Sequence, residues 1–222
     1  MSDYPIDLPH AILFDMDGLL VDTEPYWLET ERELMAEFGV QWQISDQLYC
    51  LGGPMEKVSR YMADLSRNSK SPDWFANELV DRMARKFEAI ALMPGIQALL
   101  QEILGLRLPC ALVSASPRRL VDAVLDSLTA HPFALSISAD DVECGKPYPD
   151  PYLKAAHLLE VDIQHSLIFE DSPTGVMAAR RSGAWVIAVP HVAPIEIAPK
   201  SAILPTLANH SISSLWKLVR EN

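Results

Sequence analysis

Continuous apolar runs recur at wide spacing along the chain, at residues 11–14 (AILF), 110–113 (CALV), 135–137 (LSI), 166–169 (SLIF) and 185–189 (WVIAV). Runs without period-two alternation mark strands buried on both faces. Between most of them, apolar positions return at helical spacing, over 95–104, 118–128, 150–159 and 175–182. Strand and helix alternate, so the pattern predicts an α/β fold, a parallel sheet with helices on both faces.

One stretch departs from this rhythm. From Asp22 to Met93 no run reads as a strand, and the apolar positions are helical throughout. Trp27, Glu31, Leu34, Met35 and Phe38 define one stripe, Val58, Tyr61, Met62 and Leu65 a second, and Phe75, Leu79, Met83 and Phe87 a third. Breakers separate them, at Gly39, at "LGGP" (51–54) and at "NSKSP" (68–72). The chain therefore divides into a core of residues 1–20 and 95–222 and an inserted helical segment, 21–94, which ends at "MPG" (93–95). Such an insertion is either a mobile lid or an elaborated crossover without a task of its own.

Composition narrows the class. The 222 residues are 49% hydrophobic and 22% charged, with only 9 glycines, a composition of a globular chain that does not point to a disordered or low-complexity one. A net charge of −12 repels nucleic acid and anionic lipid, and Arg118 with Arg119 is too small a basic patch to reverse that. Three cysteines, Cys50, Cys110 and Cys144, show neither CxxC nor Cys/His spacing, so a reducing compartment and no zinc site are expected. No apolar run approaches the roughly 18 residues of a membrane span, and the amino-terminal residues lack a signal-peptide pattern. A cytoplasmic protein is expected, without nucleic-acid or membrane partners.

In an open parallel sheet, ligands bind beyond the carboxyl ends of the strands. There the first run ends in Asp15 and Asp17, "CALVSAS" in Ser114 and Ser116, and "SLIFEDS" in Glu170 and Asp171, while Lys146 lies in the loop "ECGKPYPDP". Side chains two apart in an extended segment share a side, so Asp15 and Asp17 address one substrate, and Gly18 lets the chain turn away. Carboxylates gathered in one place repel, and a divalent cation relieves them. Asp15 and Asp171, with backbone oxygen and water, suit Mg²⁺.

Lys146, the Ser114 hydroxyl and the Ala115 amide can then meet phosphoryl oxygens. Asp15 is placed to attack phosphorus and form an aspartyl phosphate, and Asp17 to carry protons to the leaving alkoxide and from water. Each residue also has a plain reading: a solvated Asp-x-Asp turn, a capping Ser114, a surface Lys146, a helix-capping "EDS". A calcium loop is excluded, because the glycine of "DMDG" falls fourth and no glutamate follows at twelve. The order of the set, each member at its own strand end, favours the catalytic reading.

At these residues the chain resembles the haloacid dehalogenase superfamily, in the branch of β-phosphoglucomutase and small-molecule phosphatases. "DMDGLLVDTE" (15–24) is similar to its first motif, "SAS" (114–116) to the second, "KP" (146–147) to the third and "EDSPTG" (170–175) to the fourth. The resemblance implies a Rossmann-like core, a mobile α-helical cap, Mg²⁺, Asp15 as nucleophile, Asp17 as acid/base with its backbone carbonyl on the metal, Asp171 as metal ligand and Glu170 beside it. Asp17 argues against a dehalogenase or a phosphonatase. A mutase of this branch carries histidine where Trp27 stands and an arginine in the cap loop where Pro54 or Met55 stands.

"DTEPYW" instead looks like the "DSEPLW" of sugar-phosphate phosphatases related to 2-deoxyglucose-6-phosphatase. Trp27 reads equally as packing or as a substrate-facing wall, Glu24 equally as a contact to a sugar hydroxyl or as surface. The cap-loop residues 52–57, with Tyr26 and Trp27, are expected to choose the substrate. The expected function is Mg²⁺-dependent hydrolysis of small phosphorylated metabolites, chiefly sugar phosphates, by a monomer. A sugar-phosphate mutase is the alternative, and a non-catalytic binding protein a more distant one.

Overall fold

The computed structural model describes residues 8–50, 55–87, 90–191, 193–196 and 198–221. The chain divides into two compact units, residues 1–22 with 91–222, and residues 23–90. The expected breaker at 51–54, and with it residues 52–54 of the cap loop at 52–57, lies outside the described residues.

Strand β1 (Ile12–Phe14) opens the sheet unit. The chain then passes through the helical unit, α1 (Glu24–Ala36), α2 (Ile44–Cys50), α3 (Met55–Leu65) and α4 (Pro72–Lys86), and returns by α5 (Ile96–Leu106) to β2 (Cys110–Val113). There follow α6 (Arg118–Ser127), β3 (Leu135–Ile137), α7 (Asp150–Leu158), β4 (Leu167–Glu170), α8 (Pro173–Ser182), β5 (Trp185–Ala188), β6 (Ser201–Ile203) and α9 (Ile212–Glu221).

All six strands pair in parallel, in the order β3-β2-β1-β4-β5-β6. Ile12 stands opposite Cys110 on one side and Leu167 on the other, so β1 is central. Its three side chains are fully buried, as the unbroken apolar run requires. Leu13, Ala111, Val113, Ile168 and Val186 pack with Tyr152 and Ala155 of α7 and with Val176 and Ala179 of α8. Each leucine, isoleucine or valine among them contributes roughly 1.5–3 kcal/mol by burial. The connections wind outward through β2 and β3 and then return to β4 beside β1. The β1/β4 boundary is therefore the switch point where this topology opens a crevice.

The boundary of the sheet unit follows from hydrogen bonds. Val21 bridges both Asp17 and Leu92, and the Met93 N–H donates to the Leu20 carbonyl at 2.9 Å, which keeps residues up to 22 and from 91 with the sheet.

The helical unit has its own core, Leu34, Met35, Trp42, Met62, Phe75 and Leu79 among its members. Its outer face is laced by Arg82 to Glu37 and Glu78, each at 2.7 Å, and by Lys86 to Glu29 at 2.7 Å and Glu33 at 3.0 Å. The Ser71 hydroxyl caps α4 by accepting from the Trp74 N–H, with Pro72 in the first turn and Arg85 and Lys86 in the last.

Among the described residues, three α-helices and strands go beyond the expected set: α2, β6 and α9. Strand β6 is a three-residue edge strand, too short for a periodic signal. Helix α9 buries Ile212, Leu215, Trp216 and Val219, an i, i+3, i+4, i+7 stripe. Among the described residues no helix is long and apolar enough to cross a membrane.

Candidate active site

The site is built at the carboxyl ends of β1, β2 and β4. Asp15 follows β1 directly, and its N–H donates to the Phe169 carbonyl at 3.0 Å, which ties it to β4. Gly18, at φ 78°, turns the chain sharply, and its N–H donates to the Val21 carbonyl at 2.9 Å. A Cβ at Gly18 would stand 2.4 Å from Asp171 Oδ2, so only glycine admits this turn beside that carboxylate.

Lys146 enters from the loop before α7 and is buried between two acids. Its ammonium donates to Asp15 Oδ1 at 2.5 Å, to Glu170 Oε1 at 2.6 Å and to the Val113 carbonyl at 2.9 Å. Burial opposes that charge, but Asp15 and Glu170 outweigh it and hold Lys146 protonated, above the ordinary lysine range.

Glu170 is fully committed. Its Oε1 accepts from Lys146 and, at 2.5 Å, from the Tyr152 hydroxyl. Its Oε2 accepts from the Asp171 N–H at 3.2 Å, the Ser172 hydroxyl at 3.4 Å and the Ser172 N–H at 3.5 Å. Gly175, in the first turn of α8, leaves the room, since a Cβ there would fall 1.9 Å from Glu170 Oε1.

Asp17 has a different setting. Its Oδ2 accepts from the Ser116 hydroxyl at 2.9 Å and the Ser114 hydroxyl at 3.1 Å, while Ser114 Oγ accepts from the Ser116 N–H at 2.9 Å. Both serines follow β2, so the strand end that was expected to meet phosphate also orients the second aspartate.

Asp15, Glu170 and Asp171 bring carboxylate oxygens within 4.8 Å of one another. Burial first, then the Glu170 charge, pushes the Asp15 carboxyl up to about 8, with Lys146 opposing. Burial, then Asp15 and Glu170, pushes Asp171 up to about 9. Like charges this close, out of water, are what a divalent cation relieves. An all-oxygen set fits a hard cation. Because protein donors occupy both Glu170 oxygens, Asp15 and Asp171 are the carboxylates that remain for it.

Of the residues expected from sequence, Asp15, Asp17, Ser114, Lys146, Glu170 and Asp171 come together in the sheet unit, and Ala115 stands between the two serines. Glu24 and Trp27 belong to α1 of the helical unit. There Trp27 is half-buried against the cluster around Leu34 and Met35, and Glu24 is half-buried in the first turn. Sequence reasoning missed Tyr152 and the Val113 carbonyl. A tyrosine in the first turns of α7 reads as core packing, and a backbone acceptor has no sequence signal.

The model of the haloacid dehalogenase-like hydrolase family matches residues 12–189. The bifunctional riboflavin kinase/FMN phosphatase of Arabidopsis thaliana is 31% identical over 97% of this chain, and the match covers 56% of the plant protein's length. The fructose-1-phosphate phosphatase YqaB of Escherichia coli is 28% identical over 78% of this chain and 92% of its own. CbbY from Rhodobacter sphaeroides, solved in complex with phosphate, has a TM-score of 0.80 at 26% identity and covers 94% of this chain and 99% of its own. A family match that starts at β1 and runs past β5 takes in every acid, serine and lysine of the strand-end cluster, and the chain belongs to the haloacid dehalogenase-like hydrolase family.

Proposed function

We propose that the chain is a Mg²⁺-dependent phosphomonoester hydrolase of small phosphorylated metabolites, with sugar phosphates as its substrate class, acting as a monomer through an aspartyl-phosphate intermediate. The carrying observation is Asp15, 5% exposed at the switch point of the sheet and bound by the Lys146 ammonium at 2.5 Å. The E. coli and Arabidopsis relatives, named as a fructose-1-phosphate phosphatase and a bifunctional riboflavin kinase/FMN phosphatase, support the reaction class.

Asp15, Asp171 and the Asp17 backbone carbonyl would hold the cation, which when bound neutralises charge on the transferring phosphoryl group. A carboxylate oxygen of Asp15 attacks phosphorus and the bond to the substrate oxygen breaks. Asp17 gives its proton to that oxygen, so the leaving group departs as an alcohol. Asp17, now a carboxylate, takes a proton from water, and the water oxygen attacks phosphorus, releasing phosphate and restoring Asp15. The Ser114 and Ser116 hydroxyls hold Asp17 for both transfers. Ser114, the Ala115 amide and Lys146 are assigned to the phosphoryl oxygens, with Glu170 orienting Lys146. Glu24 and Trp27 are assigned to the remainder of the substrate.

The test is phosphate release from a panel of phosphorylated metabolites. Release is expected with Mg²⁺, is lost on chelation, and is abolished in Asp15→Asn while the thermal midpoint stays. Hydrolysis by that variant near the wild-type rate would overturn the mechanism. Conversion of one phosphosugar isomer to another, without phosphate release, would assign a mutase instead.

A further inference from the structure

The Lys146 ammonium carries three hydrogens, and all three are spent inside the protein, on Asp15 Oδ1, Glu170 Oε1 and the Val113 carbonyl. A lysine so committed has none left for an incoming phosphoryl oxygen, so one bond must be released. Two of the three acceptors are carboxylate oxygens in a buried site, where losing a partner is costly. Among the described residues, Glu170 Oε1 alone of these two has a second donor, the Tyr152 hydroxyl at 2.5 Å. Tyr152 is fully buried on α7, and Lys146 Nζ lies 5.0 Å from the centroid of its ring, close enough for the ring face to favour the ammonium as it turns.

We propose that Tyr152 is a positioning residue that lets Lys146 leave Glu170 for the phosphoryl group. When the ammonium turns away, the phenol keeps Glu170 Oε1 hydrogen-bonded, and the Ser172 and Asp171 donors keep Oε2 in place. Without the hydroxyl, departure of Lys146 strips Oε1 of its last donor, and the lysine stays where it is. This inference rests on the phosphatase reading, in which Lys146 meets phosphate, and adds to it a residue outside the strand-end motifs.

The experiment compares wild type with Tyr152→Phe, which keeps the ring. Inorganic phosphate is titrated calorimetrically into each protein at saturating Mg²⁺, and Mg²⁺ is titrated separately without phosphate. In Tyr152→Phe the phosphate dissociation constant rises about tenfold, while Mg²⁺ affinity and the thermal midpoint stay near wild type. In a Glu170→Gln background, where the ammonium leaves a neutral amide oxygen and breaks no buried ion pair, adding Tyr152→Phe changes phosphate affinity no further.

Unchanged phosphate affinity in Tyr152→Phe would overturn the inference. So would a joint fall of phosphate affinity, Mg²⁺ affinity and thermal midpoint, which is the mark of a structural role. So would a loss of phosphate affinity on adding Tyr152→Phe to Glu170→Gln, a comparison that holds even where Tyr152→Phe alone does not fold. Absence of phosphate binding by the wild-type protein would overturn the phosphatase reading and this inference with it, whereas a failure confined to Tyr152→Phe leaves the phosphatase reading standing.

Discussion

Each acid of the site has its charge answered differently. Asp15 is answered by an ammonium, Glu170 by that ammonium, a phenol and the first groups of α8, and Asp17 by two serine hydroxyls. Asp171, 8% exposed and pushed up to about 9 by burial and by Asp15 and Glu170, is the acid with most to gain from a cation. Crowding makes the arrangement brittle at one position. In Gly175→Ala the new methyl would meet the Glu170 carboxylate at 1.9–2.1 Å, so Glu170 has to move and carry Lys146 with it. That variant is expected to lose about 1–3 kcal/mol of stability and at least about tenfold in turnover. Denaturant midpoints and initial rates check it, and wild-type values for both would show that Glu170 does not need its place. Asp15, Asp17, Ser114, Glu170 and Asp171 were legible in the sequence because each lies at the end of an apolar run that fixes where its backbone emerges, and Lys146 because its loop joins the third run to the helix before the fourth. The division of hydrogen bonds among Lys146, Glu170 and Tyr152 was not legible, since it depends on distances of a few tenths of an ångström between a loop, a strand and a helix.

At the scale of elements, α1 holds a group at odds with its surroundings. Glu31 is 3% exposed, and its Oε2 has no hydrogen-bond partner among the described residues. Burial, and secondarily the charge of Glu24, pushes its carboxyl up to about 8, against a hydrogen bond from Trp42. Below the ordinary value of 4.5 the group is protonated in both folded and unfolded chains and has no effect. Between there and about 8 the unfolded chain releases the proton while the folded chain keeps it, so stability falls as pH rises, and above about 8 the loss is complete. Glu31→Gln removes this titration. The variant is expected to be more stable than wild type by about 1–4 kcal/mol at alkaline pH, with the gap closing towards acid. Parallel pH dependences in urea unfolding would contradict it. Glu31 was visible in the sequence as one member of a helical stripe, but the stripe itself does not tell a buried carboxyl from a solvated one. Strand β6 escaped for a different reason, because three residues on a sheet edge carry too little pattern to separate from a loop. Helix α9 did carry a full apolar stripe, and what it lacked was a preceding strand of readable length to place it in the α/β alternation.

At the scale of the molecule, the fold joins what the chain keeps apart. Asp15 and Lys146 are 131 positions distant yet hydrogen-bonded, because the order β3-β2-β1-β4-β5-β6 sets the ends of β1, β2 and β4 side by side. The parallel α/β class follows from the buried strand runs, and the switch point between β1 and β4 then dictates where reactive groups gather. The central claim is that this gathering performs phosphoryl transfer through Asp15, with Asp17 as the proton carrier. It predicts a separable defect. In Asp17→Asn, p-nitrophenyl phosphate supplies a leaving group that departs without protonation, so Asp15 is still phosphorylated, but no base activates the water that should clear it. The most direct measurement is rapid mixing of Asp17→Asn with that substrate in Mg²⁺, acid quench and peptide mass spectrometry. The account predicts a burst of close to one nitrophenolate per enzyme and a phosphoryl group on Asp15; no burst, or a phosphoryl group on another residue, would contradict it.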